Sequence, residues 1–302
     1  MQAFVFPGQG SQYPGMGRDL AARWPEAREA FEAADDALGF ALSRLCFEGP
    51  ESELLLTENT QPAILTVSVA AYRVLEKRGS APDMVAGHSL GEYSALVAAG
   101  GLRFEDAVLL VKSRGRFMQE AAPVGSGAMA AVIGLDLRQV EAICREASEE
   151  GVVAPANINS PTQIVISGHA PAVERACGLA LERSARMAVR LPVSAPFHSE
   201  LMKPAEIQLE ERLRETPFKD LRIPLYANVT AQSVSGAEEA RLCLIRQMSR
   251  PVRWSESVQN MIRDGAESFL EVGPGRVLSG LIRKIDPAVR ASNFEKPEQV
   301  DA

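Results

Sequence analysis

PDMVAGHSLGEYSALVAAGG, residues 82–101, changes character in its middle. Met84 to Gly87 form a short apolar run bounded by turn residues, which predicts a buried strand, and the stretch from Gly91 predicts a helix. The junction, Gly87-His88-Ser89-Leu90-Gly91, fits the GxSxG elbow. There the glycines permit a strand-to-helix turn tight enough to lift a serine out of a sheet. Ser89 has a second reading, as a cap for the first helical N–H groups. Either way, a strand running into a helix is the repeating unit of an α/β sheet.

Working outward, the flanks repeat that unit. QAFVFPG at the N-terminus predicts a short buried strand, followed by the glycine-rich loop GQGSQYPGMG. Tyr13 and Pro14 stand where a third glycine of GxGxxG would be, and no GK[ST] follows, so neither a dinucleotide nor a P-loop site is indicated. Helices are expected from Thr60 to Arg78, capped at Thr60 and stopped by Gly79, and from Phe104 to a stop at Pro123. Between about 125 and 195 the order is strand, helix, strand, strand, helix, strand, a ferredoxin-like pattern. After it come a helix over about 199–215, the strand IPLYANVT, a helix ending near Arg250, a helix over about 254–264, the strand SFLEVG and the helix RVLSGLIRKI. The expected architecture is a large α/β-hydrolase-like domain with a mostly parallel sheet, residues 1–124 and 196–302. A small βαββαβ domain, residues 125–195, is inserted into it, and a cleft between the two is the expected ligand site.

Bulk properties exclude several functions. The 302 residues are 46% hydrophobic and 24% charged, without low-complexity tracts, as expected of a globular protein with disorder confined to the terminal EKPEQVDA. A net charge of −7 argues against nucleic acid as a partner, since that binding rests on neutralising phosphates. No run approaches the ~18 apolar residues of a membrane span, and no secretory leader precedes QAFVFPG, so a cytoplasmic protein is expected. Cys46, Cys144, Cys177 and Cys243 are scattered and have neither CxxC pairs nor companion histidines, which indicates reduced cysteines and no metal site.

A serine nucleophile needs a base, and the chain has three histidines. His88 adjoins Ser89 on a strand, where neighbours point to opposite faces, and reads as a packing residue. His169, at a strand-to-helix turn of the small domain, reads as an exposed structural histidine. His198, in SAPFHS, lies where the chain leaves the insertion and is the best-placed base. A cation joins them: along 104–121, Ala107, Leu110, Val111, Phe117, Met118 and Ala121 form an apolar stripe that includes Arg114 but not Lys112 or Arg116. A buried arginine must meet an anion, either a protein carboxylate or a substrate carboxylate, unless its long side chain snorkels to solvent.

Together, FPGQGSQ at 6–12, GHSLGE at 87–92, SRGRFMQEA at 113–121, NINSPTQ at 157–163, APFHS at 195–199, QMSRPVRW at 247–254 and EVGPG at 271–275 resemble the malonyl-CoA:acyl carrier protein transacylase family, in order along nearly the whole chain. The resemblance implies transfer of malonyl from the coenzyme A thioester to the phosphopantetheine thiol of acyl carrier protein through an ester on Ser89. By the same matching, His198 is the general base, Arg114 holds the malonyl carboxylate, and the backbone N–H groups of Gln9 and Leu90 form the oxyanion hole. The main chain of Gln247 orients the histidine, which accounts for the lack of an obvious acid. Asn159 lies near the site without an assigned role. Leu90 and Phe197 match the malonyl-selective pattern, where methylmalonyl-selective relatives carry glutamine and serine. No cofactor or metal is implied, and a monomer is expected.

The carrier protein of such a system is acidic, so basic docking residues are expected at the cleft rim, either Arg183, Arg186 and Arg190 or Arg276, Arg283 and Lys284. Because the first motif opens the chain and the last nearly closes it, a free-standing enzyme of fatty acid synthesis is expected, or one serving a polyketide synthase in trans. Two rivals remain at this point. One is a serine hydrolase acting on acyl carrier proteins, disfavoured by Arg114, and the other is a catalytically silent module that docks a carrier.

Overall fold

The computed structural model describes residues 1–123, 125–193 and 195–299. The described strands are β1 (Gln2–Phe6), β2 (Met84–Gly87), β3 (Gly127–Ile133), β4 (Val153–Ser160), β5 (Gln163–His169), β6 (Met187–Arg190), β7 (Leu225–Tyr226), β8 (Ser233–Val234), β9 (Ser268–Val272) and β10 (Arg290–Phe294). They form two sheets, in the orders β10-β9-β1-β2-β7-β8 and β4-β5-β3-β6. In the larger sheet every pair from β10 to β7 is parallel, and only the edge strand β8 runs antiparallel.

The run AFVF explains why β1 lies centrally. Phe4 and Phe6 point to one face, into a core shared with the helices Thr57–Lys77 and Phe104–Glu120. Ala3 and Val5 point to the other, against Trp254, Val258 and Leu281 of the helices Trp254–Arg263 and Val277–Ile285. A parallel strand covered by helices on both faces is apolar throughout rather than alternating.

The smaller sheet is wholly antiparallel, and its order is that of the expected ferredoxin-like pattern. Alternation sorts its side chains. Ala128, Ala130 and Val132 of β3 pack with Ile164 and Ile166 of β5 beneath the helices Leu137–Ala147 and Ala170–Glu182, whereas Met129 and Val165 turn toward the core of the larger sheet. Two main-chain bonds, Ile158 N–H to Val252 C=O and Val252 N–H to Ala156 C=O, tie β4 to the segment before Trp254. The small sheet therefore roofs the ends of β1 and β2.

Several boundaries differ from expectation. The long helix begins at Thr57, three residues before the expected cap, because Thr60 donates its hydroxyl to Leu54 C=O instead of capping, and the helix continues through Pro62. Of IPLYANVT only Leu225 and Tyr226 pair as a strand, and the stretch from Ser199 opens with a 3-10 turn, Glu200–Met202, before the helix Lys203–Glu215. The helix expected to reach Arg250 stops at Gln247. Within the terminal EKPEQVDA, Glu295 accepts from Gly275 N–H at 2.6 Å and from the Tyr13 hydroxyl at 3.1 Å, and Pro297–Gln299 form a 3-10 turn, so this part is ordered. Residues 300–302 lie outside the described residues. So do Val124 and Ser194, which adjoin the expected domain seams.

Candidate active site

Ser89 sits between β2 and the helix Gly91–Ala98 with φ 52°, in the left-handed region. The flanking glycines are required by contact. A Cβ on Gly87 would lie 1.9 Å from the Gly91 carbonyl carbon, and one on Gly91 would lie 2.0 Å from Phe6 O of β1. Gly8 is equally confined, since its Cβ would come within 2.4 Å of His88 O. The FPGQG loop is thus pressed onto the elbow by the β1–β2 pairing, in which Phe6 stands opposite Gly87.

The helix-cap reading of Ser89 is not realised: Leu90 is the N-cap, and the serine hydroxyl points elsewhere. Ser89 Oγ lies 2.7 Å from His198 Nε2, and His198 Nδ1–H donates to the Gln247 main-chain oxygen at 2.8 Å. That second bond fixes the tautomer with Nε2 bare, ready to accept the serine proton. Burial, reinforced by the nearby Arg114 charge, pushes His198 down to about 3, so the imidazole rests neutral.

Arg114 is buried with the apolar residues of its helix stripe, as expected, but no carboxylate pairs with it among the described residues. Nη1 donates to Gln61 Oε1 at 2.8 Å, and Nη2 to Gln247 Oε1 at 2.9 Å and Ser89 Oγ at 3.0 Å. Its guanidinium carbon lies 5.6 Å from the Tyr93 ring centroid, and Nε–H has no partner among the described residues. The site therefore holds a cation backed by neutral acceptors, with a donor to spare.

Ser89, His198 and Arg114 line a cavity of about 120 Å³ between the two sheets. Gln9, Leu90, Phe197, Met118, Met129, Leu191 and Val193 contribute to its wall. Among the described residues neither Gln9 nor Leu90 has an acceptor for its main-chain N–H. Two free amides at the mouth of an elbow are the requirement for holding an oxyanion.

The remaining sequence candidates fall as follows. Asn159 accepts from His88 Nε2 at 2.8 Å, and His88, half-buried and 5.7 Å from the Trp254 ring, also lines the cavity. His169 is half-buried rather than exposed, because its Nδ1 accepts from Val152 N–H at 3.0 Å. Arg183 pairs with Glu146, Arg283 donates to Ala291 C=O, and Lys284 donates to Gln163 Oε1. Arg186, Arg190 and Arg276 are exposed.

Sequence reasoning did not single out four groups. Asn157, two residues before Asn159 on β4, lines the cavity. Gln61 holds Arg114. Glu92 and Asn228 sit beneath the elbow: Asn228 accepts from Ser89 N–H at 2.7 Å and donates to Gly87 C=O at 2.7 Å, and Glu92 Oε2 accepts from Asn228 N–H at 2.8 Å. Glu92 and Asn157 stood inside the quoted GHSLGE and NINSPTQ runs, the one signal available for either.

Comparison with known proteins identifies the family. The acyl transferase domain family matches residues 3–295. The chain is 48% identical over 300 residues to the malonyl CoA-acyl carrier protein transacylase of Bacillus subtilis, covering 99% of this chain and 95% of the relative. It is 50% identical over 301 residues to that of Escherichia coli K12, covering 99% and 97%. Among solved structures, the transacylase of Coxiella burnetii superposes with a TM-score of 0.97 at 45% identity, covering 98% of this chain and 94% of that one. A malonyl-transacylase in complex with its type II polyketide acyl-carrier protein superposes at 0.96 with 45% identity, covering 98% and 96%.

Proposed function

The chain belongs to the acyl transferase domain family and acts as a malonyl-CoA:acyl carrier protein transacylase, and we propose that Ser89 carries the malonyl group between the two thiols as an ester. The observation that carries this is the Ser89–His198–Gln247 relay lying against Arg114, a buried cation with an unused N–H.

In the first half-reaction Ser89 Oγ attacks the thioester carbonyl of malonyl-CoA while its proton passes to His198 Nε2. The Gln9 and Leu90 amides take the oxyanion, and Arg114 holds the distal carboxylate. As the tetrahedral intermediate collapses, the C–S bond breaks and the departing thiolate takes the proton from His198. In the second half the phosphopantetheine thiol gives its proton to His198 and attacks the ester, and Ser89 leaves and is reprotonated. These steps use the chain's own side chains, two backbone amides and two substrates.

Residues 125–195 act in this scheme as an inserted domain that roofs the cleft and shields the ester from water. Leu90 and Phe197 narrow the acyl space in favour of unbranched malonyl. Gly275, before the exposed Arg276, lies against Ser11 of the glycine-rich loop, which supports Arg276 as a contact for an acidic carrier. Every group of the site comes from one chain, which suits a monomer. The substrates and the four free cysteines suit the cytoplasm. The malonyl delivered feeds fatty acid synthesis, with service to a polyketide synthase as the second reading, favoured by the carrier-bound relative.

The test is intact mass after brief exposure to malonyl-CoA, beside Ser89→Ala, followed by holo acyl carrier protein. A Ser89-dependent malonyl adduct that moves to the carrier is expected. An adduct that decays to free malonate in the presence of carrier, or no adduct, would overturn the proposal.

A further inference from the structure

We propose that Glu92 is a positioning residue for catalysis: its carboxylate, acting through the Gln247 side-chain amide, orients the groups that hold Ser89 and His198 and offsets the Arg114 charge while His198 takes the serine proton. The inference rests on the transacylase reading above.

Glu92 is fully buried under the elbow. Its Oε2 accepts from Gln247 Nε2 at 3.0 Å and from Asn228 N–H at 2.8 Å, while Oε1 has no partner among the described residues. A buried carboxyl oxygen left unpaired is costly, and packing alone does not require a carboxylate there.

Gln247 explains its use. The amide Nε2 faces three acceptors, Glu92 Oε2, Ser89 C=O at 3.1 Å and Asn228 Oδ1 at 3.3 Å, and its Oε1 faces Arg114 Nη2. Turned over, the same amide would set N–H against guanidinium and oxygen against three oxygens. Glu92 thereby keys the orientation of the residue whose main chain takes the His198 proton donor. Its second partner, Asn228, receives the Ser89 N–H. One carboxylate thus grips both residues that hold nucleophile, base and cation.

The electrostatics act in the same direction. Formation of imidazolium beside Arg114 is opposed by the guanidinium, and Glu92, one amide away from Arg114, counters it. This is the orienting acid of a serine triad set back by one side chain.

Burial holds Glu92 up to about 7, so its ionisation falls in the working range. The titratable groups facing it are Arg114 from the helix Phe104–Glu120, Cys243 from Ala237–Gln247, and Tyr93 on its own helix, with His198 beyond Gln247. Burial pushes Cys243 and Tyr93 to about 12 and His198 to about 3, which leaves Glu92 as the one of these that titrates near neutrality.

The experiment follows the rate of Ser89 modification by a small neutral fluorophosphonate, and single-turnover malonylation by intact mass, between about pH 5 and 9 in the full chain and in Glu92→Gln. In the wild type the fluorophosphonate rate should rise through a limb near 7. Glu92→Gln should abolish the limb and lower both plateau rates by roughly tenfold to a hundredfold, the loss of one charge-assisted hydrogen bond. The preference for malonyl-CoA over acetyl-CoA should stay within about twofold, because the Arg114 clamp remains.

A variant with wild-type rates, or one that is slower but keeps the limb, would overturn the proposal. Should Glu92→Gln not fold, the wild type carries the test alone, and a flat profile across neutrality would overturn it. A wild type that shows the limb with fluorophosphonate yet takes no malonyl would sink the transacylase reading and leave the role of Glu92 toward Ser89 standing.

Discussion

Ser89 and His198 meet at 2.7 Å from two backbone positions that both hold positive φ, 52° and 57°. For a residue with a Cβ this region costs about 1–2 kcal/mol, so the proposed nucleophile and base are both presented on strained backbone. The surrounding contacts keep them there.

That strain separates two inactive variants. Ser89→Ala and Ser89→Gly both lose the hydroxyl, but only glycine relieves the left-handed turn, and its freer unfolded chain takes back part of the gain. Ser89→Gly should be the more stable by about 0.5–1 kcal/mol in urea unfolding. Equal stabilities would mean that the elbow is unstrained.

Arg114→Ala should lower the ratio of kcat/KM for malonyl-CoA over acetyl-CoA by roughly ten to a hundredfold, the worth of one charge-assisted bond to the carboxylate. Arg114→Lys should recover only part, since an ammonium cannot reach Gln61, Gln247 and a substrate carboxylate with one planar fork. An unchanged ratio in the alanine variant would remove the clamp.

Glu92 should make the fold less stable as pH rises. Its folded-state proton affinity is raised, so below the ordinary range near 4.5 it is neutral in both states and has no effect. Between there and about 7 the unfolded chain ionises while the buried carboxyl resists, and stability falls through that window. Glu92→Gln should therefore gain little in Tm at acid pH and most at pH above about 7. A Tm difference independent of pH would show that Glu92 is not buried as a neutral acid.

His198 has the opposite sign. Its affinity is lowered, so the folded protein loses stability as pH falls below about 6.5, where the unfolded imidazole takes a proton that the folded one refuses. In an NMR titration the His198 ring should stay neutral from pH 8 to about 4. A midpoint near 6 would mean that solvent or a carboxylate reaches it.

Charge reversal at Arg276 should raise KM for acyl carrier protein severalfold at low salt, and much less at high salt, while the malonyl-CoA half-reaction is unaffected. No change in that KM would place the carrier elsewhere.

The sequence made most of this site legible through local signals. Ser89 was visible from its glycines, Arg114 from its place in an apolar stripe, and His198 from its position at the return of the chain. What holds them was not. Gln247, which its family motif marked, is the exception; Glu92, Asn228 and Gln61 come from three segments that only the sheet order brings together, and a polar residue on a buried helix face reads the same whether it packs or positions. In the fold, β8 has two residues and β10, RASNF, is a half-exposed edge without alternation, so neither length nor pattern marked them. The helix start at Thr57 was not marked, because Thr60 reads as a cap while the helix in fact runs through it and through Pro62.

The proposed ester on a single serine has a metabolic consequence. Because loading and unloading in that scheme exchange one thiol for another at the same atom, the loaded fraction of enzyme is set by the ratio of malonyl-CoA to free coenzyme A rather than by the concentration of either. A fall in that ratio draws malonyl back off Ser89 and, through it, off the carrier. An enzyme of this build equalises two thioester pools and lets the reactions that consume malonyl decide the direction.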